Sequence, residues 1–150
     1  VRPVVRHQCG ERTLDTAKQA YDEHQVDVEL LPFIEDMAAA YAWADLVICR
    51  AGALTVAELC AVGVPALFVP YPGAVDDHQT ANARPMADAG AGLIIPEPEL
   101  TPDHLANLLR EWLQSRAELQ RRAVKARALS VPDSLSRITQ ICLEQAGVSV

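Results

Sequence analysis

Two unbroken apolar runs, Leu46-Val47-Ile48-Cys49 and Ala66-Leu67-Phe68-Val69, constrain this chain more than any other feature. A strand with one solvated face alternates apolar and polar residues, so a continuous run predicts a central strand of a parallel sheet, covered on both faces. Between the runs, Ala53, Leu54, Val56, Ala57, Leu59 and Cys60 fall at helical spacing. A helix over about residues 53–62 therefore joins the strands and packs closely against them. The same alternation of short apolar runs with helical segments extends along the chain and predicts the α/β class, a parallel sheet clothed by helices.

A first strand is expected over residues 2–6, followed by a helix with Leu14, Ala17, Ala20 and Tyr21 on its apolar side. Val26, Val28 and Leu30 alternate with Asp27 and Glu29, as in a half-buried strand toward an edge. A helix near residues 79–89 leads into a fifth strand at 93–95, which Pro96 and Pro98 stop by removing backbone donors. Thr101-Pro102-Asp103 opens a helix whose stripe is Leu105, Leu108, Leu109 and Trp112, and Ser115-Arg116-Ala117-Glu118 is a capping box for the next. A last helix, about residues 134–146, carries Leu135, Ile138, Ile141 and Cys142 on one face. No repeat, low-complexity tract or second domain boundary interrupts residues 1–150, which read as a single domain.

Composition narrows the partners. With 50% hydrophobic residues in 150, the chain can bury a core. A formal charge of −7 opposes binding to phosphate backbones, so nucleic acid is not an expected partner. Cys9, Cys49, Cys60 and Cys142 form no C-x-x-C pair, which points to a reducing cytoplasm without structural disulfides or zinc. No apolar stretch reaches the roughly 18 to 20 residues that span a bilayer, and the start lacks the layout of a secretory signal. Val1 falls inside what reads as a strand, so the chain is expected to be cut from a longer protein.

Ligands of open α/β sheets sit beyond the carboxyl ends of the strands, which directs attention to three loops. In the first, Cys49-Arg50-Ala51-Gly52-Ala53-Leu54-Thr55 turns a strand into a helix, and Gly52 leaves the backbone open to close approach. Free amides and the helix dipole favour a phosphate there. Thr55 and Glu58 share a helix face; the hydroxyl could serve a diphosphate and the carboxylate two vicinal ribose hydroxyls. The structural alternative is that Thr55 bonds back to its own helix and Glu58 meets solvent or an arginine. In the second loop, Phe33 and Met37 could wall a flat base while the Ile34 backbone reads its edge; alternatively the segment is a hydrophobic staple with an Asp36 cap. The third, residues 70–79, is stiffened by Pro70 and Pro72, and its amides and His78 imidazole could meet sugar hydroxyls; a solvated loop ending in a helix cap is the alternative. Asp76-Asp77-His78 is unsuited to a metal, because adjacent residues rarely converge on one ion. Neither a G-x-S-x-G elbow nor a Walker loop is present.

Taken together and in order, Phe33-Ile34-Glu35-Asp36-Met37, Ala42-Trp43-Ala44-Asp45, Cys49-Arg50-Ala51-Gly52-Ala53-Leu54-Thr55-Val56-Ala57-Glu58, Pro65-Ala66-Leu67-Phe68-Val69-Pro70 and Asp77-His78-Gln79-Thr80-Ala81-Asn82-Ala83 resemble the C-terminal domain of the MurG glycosyltransferases. The likeness covers essentially the whole chain. It implies a Rossmann-like domain, the donor-binding half of a two-domain GT-B enzyme. The implied reaction is an inverting transfer of GlcNAc from UDP-GlcNAc to lipid I, forming lipid II for peptidoglycan, with no cofactor and no obligatory metal.

By that resemblance the Ile34 backbone binds uracil in a pocket lined by Phe33 and Met37. Ala53, Leu54 and Thr55 hold the diphosphate beside the open backbone of Gly52, Glu58 the ribose, and His78 and Gln79 the GlcNAc. The family often has Gln where His78 stands. Its glycine-rich donor loop and its acceptor-binding N-terminal domain, with the candidate base, are absent, so no catalytic residue is expected here and the chain alone should be nearly inactive. The last helix is expected to pack on that missing domain, and the full-length protein to lie peripherally on the cytoplasmic face of the inner membrane. Two other readings share the donor site: a non-catalytic UDP-GlcNAc-binding subunit needing a membrane partner, and an epimerase-like GT-B relative.

Overall fold

The computed structural model describes residues 2–147, and the chain divides into two compact units, Val1–Ala40 and Tyr41–Val150. Val1, which the sequence places in a strand, lies outside the described residues.

In the first unit, β1 (Arg6–Gln8) and β2 (Glu29–Leu31) pair in parallel with Arg6 opposite Glu29, and α1 (Leu14–Glu23) connects them. The strand expected at 2–6 therefore begins later: Pro3 offers no donor, Val4 is 82% exposed, and ladder bonding starts at the Val5 carbonyl, which accepts from Glu29 N at 2.9 Å. Val26 leaves its expected strand for the exit of α1. Gln25 adopts a left-handed φ of 52°, and Val26 N donates back to Tyr21 O at 3.0 Å, closing the helix end. An ion pair, Arg6 Nε to Glu29 Oε2 at 2.7 Å, crosses the two strands.

A short helix α2 (Met37–Trp43) begins in the first unit and ends in the second. The second unit then runs β3 (Val47–Cys49), α3 (Ala53–Val62), β4 (Ala66–Phe68), α4 (His78–Asp88), β5 (Gly92–Ile94), α5 (Pro102–Leu113), α6 (Arg116–Ala128) and α7 (Ser134–Gln145). Its sheet is parallel, in the order β3-β4-β5, with Cys49 opposite Phe68 and Phe68 opposite Ile94. β4 is buried throughout, as its apolar run requires. β3 is not: it lies at the edge of this sheet, and Ile48, pointing away from Val47 and Cys49, is 45% exposed. The fifth strand sits one residue earlier than expected, but Ile95 N still donates to Phe68 O at 2.8 Å.

Leu67, Ile95, Trp112 and Leu119 form a core cluster against which Leu105, Leu108 and Leu109 pack, so the predicted stripe of α5 faces the sheet. The Arg122 guanidinium lies 4.0 Å from the Trp112 ring centroid, closing that core from its polar side. Thr101 caps α5 by accepting from His104 N at 3.2 Å. Ser115 caps α6 likewise, but only half of the expected capping box forms. The Glu118 carboxylate accepts from Arg121 Nε at 2.9 Å and faces Arg122 Nε at 3.2 Å, and the Arg121 hydrogen bond holds its carboxyl below the usual range. On α7, Leu135, Ile138 and Ile141 share the predicted face and are all exposed. Among the described residues no helix is long and apolar enough to cross a membrane.

Candidate functional site

The carboxyl ends of β3 and β4 are tied together by side chains. Arg50, the first residue after β3, donates through Nη1 to Val69 O and Pro70 O, both at 3.1 Å, and pairs with Glu97 beyond β5. Its guanidinium also lies 5.6 Å from the Tyr71 ring centroid. Ala51, fully buried, has both backbone groups satisfied by α4: its N–H donates to Gln79 Oε1 at 3.3 Å, and its carbonyl accepts from Asn82 Nδ2 at 3.1 Å. Gln79 Oε1 accepts a second bond, from Tyr71 N at 2.9 Å. Both partners are N–H donors, so the orientation of the Gln79 amide is determined and its two Nε2 hydrogens remain for a ligand.

This clamp leaves Gly52 as the N-cap of α3 in an extended conformation, φ −64° and ψ 145°. A residue with a side chain could adopt those angles, and an added Cβ would meet only Thr55 Oγ1, at an ordinary 3.5 Å. Space in front of the helix, rather than backbone strain, is what glycine preserves. No side chain caps α3 and its first turn holds no acid, so the amides of Ala53, Leu54 and Thr55 are open donors at the positive end of the dipole. Leu54 is 80% exposed beside them. The hydroxyl of half-buried Thr55 makes no hydrogen bond among the described residues, so it is not spent on its own helix.

Glu58 meets neither an arginine nor solvent alone. Tyr41 Oη donates to Glu58 Oε2 at 3.1 Å. The tyrosine is buried, and burial together with the neighbouring carboxylate pushes its phenol up to about 12. Burial similarly pushes the Cys49 thiol up to about 12, keeping it a neutral packing group.

The loop after β4 folds Tyr71 over Gly73, where a Cβ would come within 2.8 Å of the ring. Asp76 and Asp77 follow with left-handed φ of 53° and 51°, a conformation costly for non-glycine residues. Asp77 makes no side-chain cap on α4, contrary to the bland reading of this loop. His78 opens α4 with Nδ1 2.8 Å from Val75 O. A carbonyl only accepts, so Nδ1 carries a hydrogen, and Nε2 is the ring nitrogen left over.

In the first unit, Phe33 is 66% exposed, and the Ile34 amide donates to Gln8 Oε1 at 2.8 Å. Asp36 Oδ1 accepts from Ala39 N at 2.8 Å, so the helix-capping reading of Asp36 is correct, and Met37 begins α2. Within the second unit the fold gathers Gly52, Ala53, Leu54, Thr55 and Glu58 on one helix, with Gln79 bonded to the turn before it. Gln8, Tyr41, Arg50 and Asn82 were missed by sequence reasoning. Asn82 was within reach, since it follows Gln79 by one helical turn, whereas Tyr41 finds its carboxylate 17 residues away with no local pattern to announce it.

Among the described residues no group of three or more His, Cys, Asp or Glu could hold a metal ion. The arrangement can bind an anion at the α3 amides, accept from a diol at Glu58, and donate to hydroxyls from Gln79.

Parallel βαβ units with open loops at the carboxyl ends of the strands place the chain among the Rossmann-like α/β folds. Residues 3–138 match the glycosyltransferase family 28 C-terminal domain, and the chain belongs to that family. It is 61% identical over 145 residues to the UDP-N-acetylglucosamine–N-acetylmuramyl-(pentapeptide) pyrophosphoryl-undecaprenol N-acetylglucosamine transferase of Alkalilimnicola ehrlichii, and the match covers 97% of this chain and 41% of the relative. The Marinobacter nauticus protein of the same name is 54% identical, with 97% and 40% covered. The crystal structure of Acinetobacter baumannii MurG superposes with a TM-score of 0.84 at 46% identity, covering 91% of this chain and 41% of that one. A more distant likeness, in fold alone, is to the glycosyltransferase VinC in complex with dTDP, with a TM-score of 0.58 at 24% identity, covering 83% and 32%. The fold is thus the Rossmann-like C-terminal half of a GT-B glycosyltransferase, and the chain spans about 41% of the length of the first of these relatives.

Proposed function

We propose that this chain is the donor-binding part of an inverting N-acetylglucosaminyltransferase that moves GlcNAc from UDP-GlcNAc to lipid I, forming lipid II on the cytoplasmic face of the membrane. The observation that carries the reading is the uncapped start of α3 with an acceptor-only carboxylate, Glu58, one turn further on. Diphosphate oxygens accept from the Ala53, Leu54 and Thr55 amides and the Thr55 hydroxyl, close to the Gly52 backbone. Glu58 accepts from the ribose hydroxyls, and its charge disfavours a further phosphate there. Gln79 donates through Nε2 to the sugar, and His78 Nε2 hydrogen-bonds a hydroxyl. Phe33 and Met37 wall the uracil and Ile34 reads its edge. The acceptor and the base that activates it are assigned in this reading to residues outside this chain, and the exposed face of α7 to packing against them.

Calorimetric titration of this chain with UDP-GlcNAc, against UDP-glucose, UDP and GDP-mannose, tests the donor reading. Preference for uridine and for the N-acetyl group supports it. Equal response to GDP-mannose would count decisively against it.

A further inference from the structure

We infer that Tyr41 is a positioning residue that orients the Glu58 carboxylate for a ribose diol, and so sets how strongly this site prefers ribonucleotides over their deoxy counterparts. The inference rests on the donor reading of Glu58 and deepens it.

A glutamate on a helix face has three rotatable side-chain torsions, and a carboxylate free to sample them holds a diol poorly, because ordering it costs entropy on binding. Glu58 is exposed, so packing does not hold it. The Tyr41 hydroxyl does, from a ring that is 7% exposed, at 3.1 Å from Oε2. The anchor comes from outside the helix, since Tyr41 lies on α2 and Glu58 on α3.

The chemistry of the bond suits this task. A phenol donates one hydrogen and therefore occupies one lone pair of Oε2, leaving the other and both lone pairs of Oε1 for two vicinal hydroxyls. The phenol stays protonated across the whole physiological range, because burial and the adjacent carboxylate hold it far above neutrality. Tyr41 thus acts on the ligand only through Glu58.

The test is the ratio of affinities for UDP and for 2′-deoxy-UDP and 3′-deoxy-UDP, measured by titration on this chain as wild type, Tyr41→Phe, Tyr41→Met and Glu58→Gln. Phenylalanine keeps the buried ring and removes one atom; methionine offers a second hydroxyl-free side chain should the first fail to fold. The expected result is a wild-type preference for UDP that Glu58→Gln abolishes and that either Tyr41 variant cuts by about ten-fold, the low end of the worth of one hydrogen bond to a charged group. A merely structural role for Tyr41 would weaken all three nucleotides alike and leave the ratio unchanged. An unchanged ratio in the Tyr41 variants beside a lost one in Glu58→Gln overturns the inference and leaves the donor reading of Glu58 standing. A wild type with no ribose preference, or Glu58→Gln with the full preference, overturns both.

Discussion

The Gln79 side-chain oxygen accepts from the Ala51 amide at 3.3 Å, which bonds the helix proposed to hold the sugar directly to the turn that precedes α3, the helix proposed to hold the diphosphate. One amide group thereby has two jobs, since its oxygen holds backbone and its nitrogen is left for ligand. Two substitutions separate them. Gln79→Glu keeps an oxygen for the Ala51 and Tyr71 amides but removes the Nε2 donors, and should weaken UDP-GlcNAc by about 1 kcal/mol or more while leaving UDP nearly unchanged. Gln79→Ala loses both and should weaken UDP as well. Equal losses for both nucleotides in both variants would assign Gln79 to the backbone alone.

Gln8 Oε1 occupies the Ile34 amide, the donor assigned to the uracil edge. A base that uses this amide must displace the glutamine. Gln8→Ala should therefore raise affinity for UDP by a few-fold, on the scale of about 1 kcal/mol for one exchanged hydrogen bond. If calorimetry shows weaker binding instead, Gln8 belongs to the ligand site and not to its resting state.

Gly63 closes α3 at φ 83°, and a Cβ there would stand 3.1 Å from Arg127 Cβ and 3.2 Å from the Ala123 carbonyl on α6. Gly63→Ala should lower stability by about 1 to 3 kcal/mol through strain and crowding, read as a fall in the thermal midpoint. Nucleotide affinity of the folded variant should not change, because Gly63 lies at the opposite end of α3 from its open amides.

Tyr41 and Cys49 both ionise later in the folded chain than in the unfolded one, with folded values of about 12 against ordinary values of 10.0 and 9.0. The folded state then holds more protons than the unfolded state above pH 9, so the stability these groups contribute is complete below that pH and declines toward pH 12. Denaturant titrations should show it falling by at most about 1.4 kcal/mol per pH unit for each group. Cys49→Ala should flatten the slope that begins near 9, and a slope unchanged in that variant would assign the loss elsewhere.

Much of this fold is legible in residues 44–113. α3 has its predicted limits because the apolar spacing is helical and Gly52 and Gly63 bracket it, and Thr101 caps α5 as its side chain dictates. Burial of β3 was over-read, because an apolar run reports what a strand tolerates and not how many neighbours it receives. The first strands were misplaced by a few residues, since Pro3 and the exit turn of α1 claim backbone that the alternation had assigned to them.

By itself the sequence determined the alternation of strands and helices, the loops that open at strand ends, and the order of motifs that marks the family, because these depend on periodicity, caps and contiguous residue types. Only the tertiary structure decided that Tyr41 anchors Glu58, that Gln79 and Asn82 grip Ala51, that Gln8 covers the Ile34 amide, and that the Thr55 hydroxyl has no hydrogen-bond partner among the described residues. A buried backbone amide or a carboxylate must find some partner, but which one it finds depends on groups brought together through space, and no local pattern encodes that choice.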